Sequence, residues 1–113
     1  MKPLTRIDDN FSASPQIDAE DLIGIKAAGF KSVICNRPDN EDGGAHPDHD
    51  FLEAEAGKLG LEFSYLPVVP GQIDDSQIAQ FKVAISTLPG PIVGYCRLGF
   101  RAKTLYERAQ SIP

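Results

Sequence analysis

Apolar positions alternate between helical and strand spacings along this chain, and the alternation predicts its elements. Leu22, Ile25 and Ala28 recur at helical spacing, with Asp18 at the N-cap position, Asp21 three residues on and Gly29 as the stop. Phe30 to Asn36 carries Val33, Ile34 and Cys35 in a row, the pattern of a buried strand. Arg37 to His46 is polar and holds Gly43-Gly44, so it reads as a loop. Pro47 suits the first turn of a helix that continues through Phe51, Leu52, Glu55, Ala56 and Leu59 and ends at Gly60. Leu61 to Leu66 is a second short strand cut by Pro67, and Pro67-Val68-Val69-Pro70-Gly71 is a rigid loop. Asp74 and Gln77 stand in capping-box register ahead of a helix whose buried stripe is Ile78, Phe81, Ile85 and Leu88. Ile92-Val93-Gly94-Tyr95 reads as a third strand, and Arg101 to Gln110 as the last helix, with Leu105 and Ala109 inward. The stretch around Ile7 and Phe11 is expected to add an antiparallel hairpin at one edge.

Strands alternating with helices predict an α/β fold, a central, mainly parallel sheet flanked by helices, in a single domain over residues 1–113. In such sheets ligands bind beyond the carboxyl ends of the strands. Cys96 falls at such an end, where the third strand stops and the last helix is about to begin.

Composition narrows the function classes. The net charge of -5 argues against a nucleic-acid partner, which needs clustered Lys and Arg. A small anionic or phosphorylated substrate remains open, because a pocket can be positive inside an acidic protein. No apolar run approaches the ~20 residues of a membrane span, and the N-terminus lacks the apolar core of a signal peptide. The expected location is therefore cytoplasmic, with no membrane partner. The two cysteines, Cys35 and Cys96, make neither a disulfide framework nor a metal cluster. No cofactor and no metal are expected. His46 and His49, with Asp48 and Asp50, straddle a helix start and read as capping and solvated groups, with no third ligand in register.

The segment Tyr95-Cys96-Arg97-Leu98-Gly99-Phe100-Arg101-Ala102 carries the candidate chemistry. A loop joining strand to helix turns its N–H groups inward around an anion, and the same groups stabilise a thiolate at Cys96. Cys96 is the expected nucleophile. Arg101 is the expected clamp on two oxyanion oxygens. Gly99 allows close backbone approach, and Arg97, Leu98, Phe100 and Ala102 complete the expected substrate-binding loop. Leu98 and Phe100 should point to the core or to the pocket rim.

This loop resembles the active-site loops of cysteine-dependent phosphatases and rhodanese-type sulfurtransferases. The wider chain resembles a bacterial phosphatase-like domain family that occurs alone or fused to metallo-β-lactamase-like hydrolases. The resemblance rests on Ala27-Ala28-Gly29-Phe30-Lys31-Ser32-Val33-Ile34, Asn36-Arg37-Pro38-Asp39, Tyr65-Leu66-Pro67-Val68, Gly90-Pro91-Ile92-Val93 and the Cys96 loop. It implies a fold like the dual-specificity tyrosine phosphatases, with Cys96 as nucleophile and Arg101 as oxyanion clamp. Three functions follow from it: a phosphatase acting on phosphate monoesters, phosphotyrosine among them, a sulfurtransferase working through a Cys96 persulfide, or a non-catalytic anion-binding module. Four residues separate Cys96 from Arg101, a spacing shorter than in most tyrosine phosphatases and like that of small rhodaneses. Ala102 stands where most phosphatases have a hydroxyl residue, Tyr95 where His commonly precedes the cysteine, and Leu98 and Phe100 where related loops carry Ser or Thr.

The remaining candidates each have a plainer reading. Asp74 is a tentative general acid but fits helix capping better. Asp39, Glu41 and Asp42 follow the first inner strand and read first as a solvated acidic loop, and second as acids that reach the pocket. Arg37 either adds charge at the pocket mouth or pairs with Asp39 or Glu41. Tyr65 and Tyr106 read as core-edge aromatics. Cys35 ends a strand parallel to the one leading to Cys96. It reads first as a small buried side chain, and second as a redox partner for Cys96.

Overall fold

The computed structural model describes residues 2–112; Met1 and Pro113, the ends of the expected domain, lie outside the described residues. Five strands form one sheet in the order β1-β2-β5-β3-β4: β1 (Thr5–Arg6), β2 (Phe11–Ser14), β3 (Ser32–Cys35), β4 (Glu62–Tyr65) and β5 (Ile92–Tyr95). All pairings are parallel except β1 with β2. Four helices, α1 (Ala19–Ala27), α2 (His49–Lys58), α3 (Asp75–Thr87) and α4 (Phe100–Gln110), connect and cover the sheet.

The caps explain where two helices begin. Asp18 accepts from the Asp21 N–H and Asp21 accepts from the Asp18 N–H, a reciprocal pair that satisfies two orphan donors. Asp74 and Gln77 do the same for α3. Ala28, expected on the buried face of α1, is instead its exposed C-cap. Pro47 lies outside α2, because extended Asp48 is the N-cap and the helix starts at His49.

The alternation of side chains across each strand separates two apolar layers. Val33, Cys35, Val93 and Tyr95 face α1 and α2, packing with Leu22, Ile25, Leu52 and Ala56. Ile34 and Ile92 face the other way, into a layer with Phe81 of α3 and Ala102, Leu105, Tyr106 and Ala109 of α4. The antiparallel hairpin expected at one edge is present, with β1 as the edge strand. β2 lies inside the sheet, with Phe11 opposite Ile92 and Ser14 opposite Tyr95. Phe11 is fully buried, stacked on Tyr106 at 4.2 Å and edge-on to Phe81 at 5.8 Å.

That ring dictates a glycine in β5. A Cβ on Gly94 would sit 2.5 Å from Phe11 Cζ and 3.4 Å from the Ala102 Cβ. Gly94→Ala should therefore cost about 1–3 kcal/mol through overpacking. Chemical denaturation checks this, and an unchanged midpoint would contradict the packing account.

Candidate active site

The order β2-β5-β3-β4 brings the carboxyl ends of four parallel strands to one edge, and β5 delivers Cys96 to it. The Cys96 N–H donates to the Ser14 carbonyl at 3.3 Å, continuing the β2–β5 ladder by one residue. The chain then turns through Arg97, Leu98 and Gly99 into α4. Gly99 makes the turn with φ 98°, and a Cβ there would lie 3.4 Å from the Ser14 carbonyl, so the position suits glycine alone. Its N–H donates to Cys96 Sγ at 3.0 Å. A backbone donor at that distance, ahead of a helix N-terminus, faces the sulfur.

Cys96 is 1 % exposed and lines a cleft of about 570 Å³. Arg97, Leu98, Phe100 and Arg101 form one wall, Pro38, Glu41 and Asp42 a second, and Val69 and Pro70 a third. Leu98 and Phe100 take the second of their two expected positions. They are 62 % and 70 % exposed and make an apolar rim together with half-exposed Val69. Ala102 departs from its expected substrate-binding role. It is fully buried in the Phe11 layer, where a hydroxyl would lack a partner.

Arg101 reaches into the cleft from the first turn of α4. Its Nη1 donates to Glu41 Oε2 and to the Val68 carbonyl, both at 2.8 Å, and its Nη2 donates to Glu41 Oε1 at 2.7 Å. A guanidinium has five N–H donors, so three are engaged by these bonds. The other two, on Nε and Nη2, share one edge, which is the geometry of a bidentate oxyanion fork, and the guanidinium also interacts with the Cys96 sulfur. Burial alone would lower the Arg101 pKa, but the Glu41 carboxylate and the nearby Cys96 sulfur raise it, so the cation is secure.

Glu41 takes the second of its two expected positions and reaches the pocket. Its side chain is 17 % exposed, not solvated, and it also accepts from Arg37 Nε at 3.0 Å. Hydrogen bonding from Arg101, helped by Arg37, holds its carboxyl below the ordinary range despite burial. The available signal was the Arg37–Glu41 spacing; the second partner lies 60 residues away. Arg37 thus takes its pairing role. It is 6 % exposed, donates also to Asp42 at 2.7 Å and Gln16 at 3.2 Å, and does not line the cleft.

The Asn36-Arg37-Pro38-Asp39 segment works as scaffolding for this site. Asn36 Nδ2 donates to the Leu66 carbonyl, and the Val68 N–H donates to the Asn36 carbonyl, which sets the Val68 oxygen against Arg101. Asp39 caps α2, accepting the His49 N–H at 2.8 Å and binding its Nδ1 at 2.6 Å. The His49 ring stacks on Tyr65, whose hydroxyl accepts the Asp39 N–H. Tyr106, the other expected core-edge aromatic, is buried and donates to Asp8 at 2.6 Å.

The pH dependence of this network has a fixed sign. A carboxylate whose pKa falls on folding stabilises the protein above its unfolded value and loses that effect as pH drops through the folded one. Glu41→Gln should thus cost about 1–3 kcal/mol near neutral pH. The gap in melting temperature from wild type should close as pH falls below the ordinary Glu value of 4.5. A gap independent of pH would contradict the ion-pair account.

The other candidates lie apart from the cleft lining. Asp74 is the α3 cap, and neither it nor Asp75 lines the cleft. Cys35 is buried in the α1/α2 layer beside Tyr95, its register partner, while Cys96 is the next residue along and lines the cleft instead. Its S–H donates to the Arg37 carbonyl at 3.3 Å, and burial above all pushes its pKa up to about 11. The strands are neighbours as a redox pairing requires, but a thiol so protonated is a poor partner, and the buried structural role accounts for the residue. On α2, His49, Asp50 and Glu53 bring ligand-type atoms within 4.8 Å of one another, a third group that the sequence reading did not register, though both acids are exposed. No helix among the described residues is long and apolar enough to cross a membrane.

Known proteins share both sequence and fold with this chain. Residues 3–112 match the family described as "Beta-lactamase hydrolase-like protein, phosphatase-like domain". A beta-lactamase hydrolase-like protein of Xylella fastidiosa is 31% identical over 106 residues, covering 94% of this chain and 24% of that protein. The chain therefore spans about a quarter of the length of the curated relatives it matches. Among solved structures, a candidate phosphatase of Neisseria meningitidis superposes with a TM-score of 0.85 at 29% identity, covering 96% of this chain and 79% of that one. TpbA of P. aeruginosa, solved in complex with pTyr, gives a TM-score of 0.63 at 18% identity, covering 90% and 58%, which is a shared fold.

Proposed function

We propose, from the premise that this chain belongs to the phosphatase-like domain family of beta-lactamase hydrolase-like proteins, that it is a cysteine-dependent phosphatase of phosphate monoesters. The observation that carries the reading is Cys96 Sγ, buried in the cleft wall, receiving the Gly99 N–H at 3.0 Å. In this reading the Cys96 thiolate attacks phosphorus and the loop N–H groups hold the equatorial oxygens. The Nε–Nη2 edge of Arg101 adds a bidentate contact that tightens as charge develops. Water then releases phosphate from the cysteine. The pTyr bound to TpbA and the apolar rim of Leu98, Phe100 and Val69 both support an aromatic ester as substrate.

A sulfurtransferase is the second reading, favoured by the loop of four residues between Cys96 and Arg101. Here Cys96 would take a sulfane sulfur as persulfide and pass it to a thiol. Parallel assays separate the two. Turnover of p-nitrophenyl phosphate without thiocyanate production from thiosulfate and cyanide is the expected result. The reverse pattern would replace the phosphatase reading, and inactivity in both would leave an anion-binding module.

A further inference from the structure

A phosphate ester normally leaves with a proton supplied by the enzyme, and the cleft offers no side chain to supply it. Among the described residues its lining includes two carboxyls, Glu41 and Asp42. Glu41 accepts from both terminal nitrogens of Arg101 and from Arg37. Asp42 accepts from Arg37 Nη2 at 2.7 Å and lies 3.3 Å from Arg97 Nε. Arg101 and Arg37 hold the Glu41 carboxyl below its ordinary range, and the Asp42 oxygen is occupied by the guanidinium groups of Arg37 and Arg97. Asp42 also adopts φ 55°, a left-handed conformation that few non-glycine residues take, and it serves to set the carboxylate on those arginines. The rest of the lining besides Cys96 is apolar or is Arg97 and Arg101. The carboxyl that follows β4 in sequence, Asp74, is bonded to the Gln77 N–H, and His49 Nδ1 is bonded to Asp39.

We propose that the Cys96 site acts on phosphoryl donors whose leaving group departs as a stable anion, namely acyl phosphates and esters of acidic phenols, with the apolar body against Leu98, Phe100 and Val69. The proposal rests on the phosphatase reading and narrows its substrate class. In the first step a lone pair of the Cys96 thiolate forms the S–P bond while the P–O bond breaks. The electron pair stays on the departing oxygen, which leaves as carboxylate or phenolate and meets a proton only in solvent. In the second step water attacks phosphorus and the S–P bond breaks. That electron pair returns to sulfur, and the water proton passes to solvent. The Nε–Nη2 edge of Arg101 serves both steps, since the phosphoryl oxygens remain in place.

The test compares kcat/KM, which reports events through P–O cleavage, for p-nitrophenyl phosphate, phenyl phosphate and phosphotyrosine. It uses wild type, Asp42→Asn and Cys96→Ser. Asparagine tolerates the left-handed backbone, so the first variant changes charge and little else. In wild type kcat/KM should fall about 10²-fold or more from the nitrophenyl to the phenyl ester, the low end of what a general acid supplies. Asp42→Asn should move all three esters by the same factor. A wild-type series flat to within about threefold, or a loss in Asp42→Asn confined to the phenyl esters, would reveal a proton donor and overturn the proposal. With Cys96→Ser inactive, a flat series sinks the leaving-group inference alone. Activity retained in Cys96→Ser, or no aryl phosphate turnover in wild type, sinks the phosphatase reading and this inference with it.

Discussion

Serine in place of Cys96 should abolish turnover of p-nitrophenyl phosphate and leave the fold intact. The side chain is 1 % exposed, and the substitution exchanges one small atom for another, so packing changes little. The Gly99 N–H that donates to Cys96 Sγ can equally donate to a hydroxyl oxygen. What disappears is the nucleophile. One amide and a helix terminus fall far short of ionising an alcohol at neutral pH, and the cleft carboxylates Glu41 and Asp42 are engaged by arginines. The expected fall in kcat is roughly 10⁴-fold or more, the scale seen when a covalent nucleophile is removed. Steady-state kinetics and thermal melts on the same preparation check both halves. Substantial activity in a folded Cys96→Ser variant would remove Cys96 from the chemistry.

Arg101→Lys should lose most oxyanion affinity although the charge is kept. Three of the guanidinium N–H groups already bind Glu41 and the Val68 carbonyl, and the other two, on the edge shared by Nε and Nη2, are the ones a ligand on Cys96 would meet. An ammonium has three donors in all and no planar fork. Its strongest partner is Glu41, the part-buried carboxylate beside it, so the lysine would turn toward Glu41 and away from the ligand. Loss of such preorganised donors typically costs 10²–10³-fold, so vanadate affinity and kcat/KM should fall by about that factor. Competition kinetics with vanadate measure it. Equal affinity in wild type and variant would show that Arg101 is only a structural partner of Glu41.

The parts of this account that were legible in the sequence depend on local signals. The Asp18 and Asp74 caps act over three residues, and the unbroken Val33-Ile34-Cys35 run marks a strand covered on both faces. The position of Cys96 between an apolar strand and a helix is likewise local. The features that were not legible depend on distant partners. Phe11-Ser12-Ala13-Ser14 is short and half polar, and its place inside the sheet follows from pairing with β5, some eighty positions later. Glu41 looked like one acid among three in a Gly-rich loop. Burial between Arg37 and Arg101 separates it from Asp42, which is half-exposed, and no spacing in the chain encodes that contact. Ala102 was read with the loop because of its sequence position, whereas the helical turn directs it into the Phe11 layer. The same turn sends Arg101, one residue earlier, into the cleft.

The central claim is that Cys96 carries the phosphoryl group between donor and water. Ala102 offers no hydroxyl to assist the second step, so the intermediate should persist long enough to trap. Rapid acid quench of wild type with p-nitrophenyl phosphate, followed by peptide mass spectrometry, tests this directly. The account predicts a phosphate on the peptide containing Cys96, absent in Cys96→Ser and formed within the burst of the first turnover. Nitrophenol release in the first turnover, with Cys96 unmodified throughout or the phosphate on another residue, would contradict it.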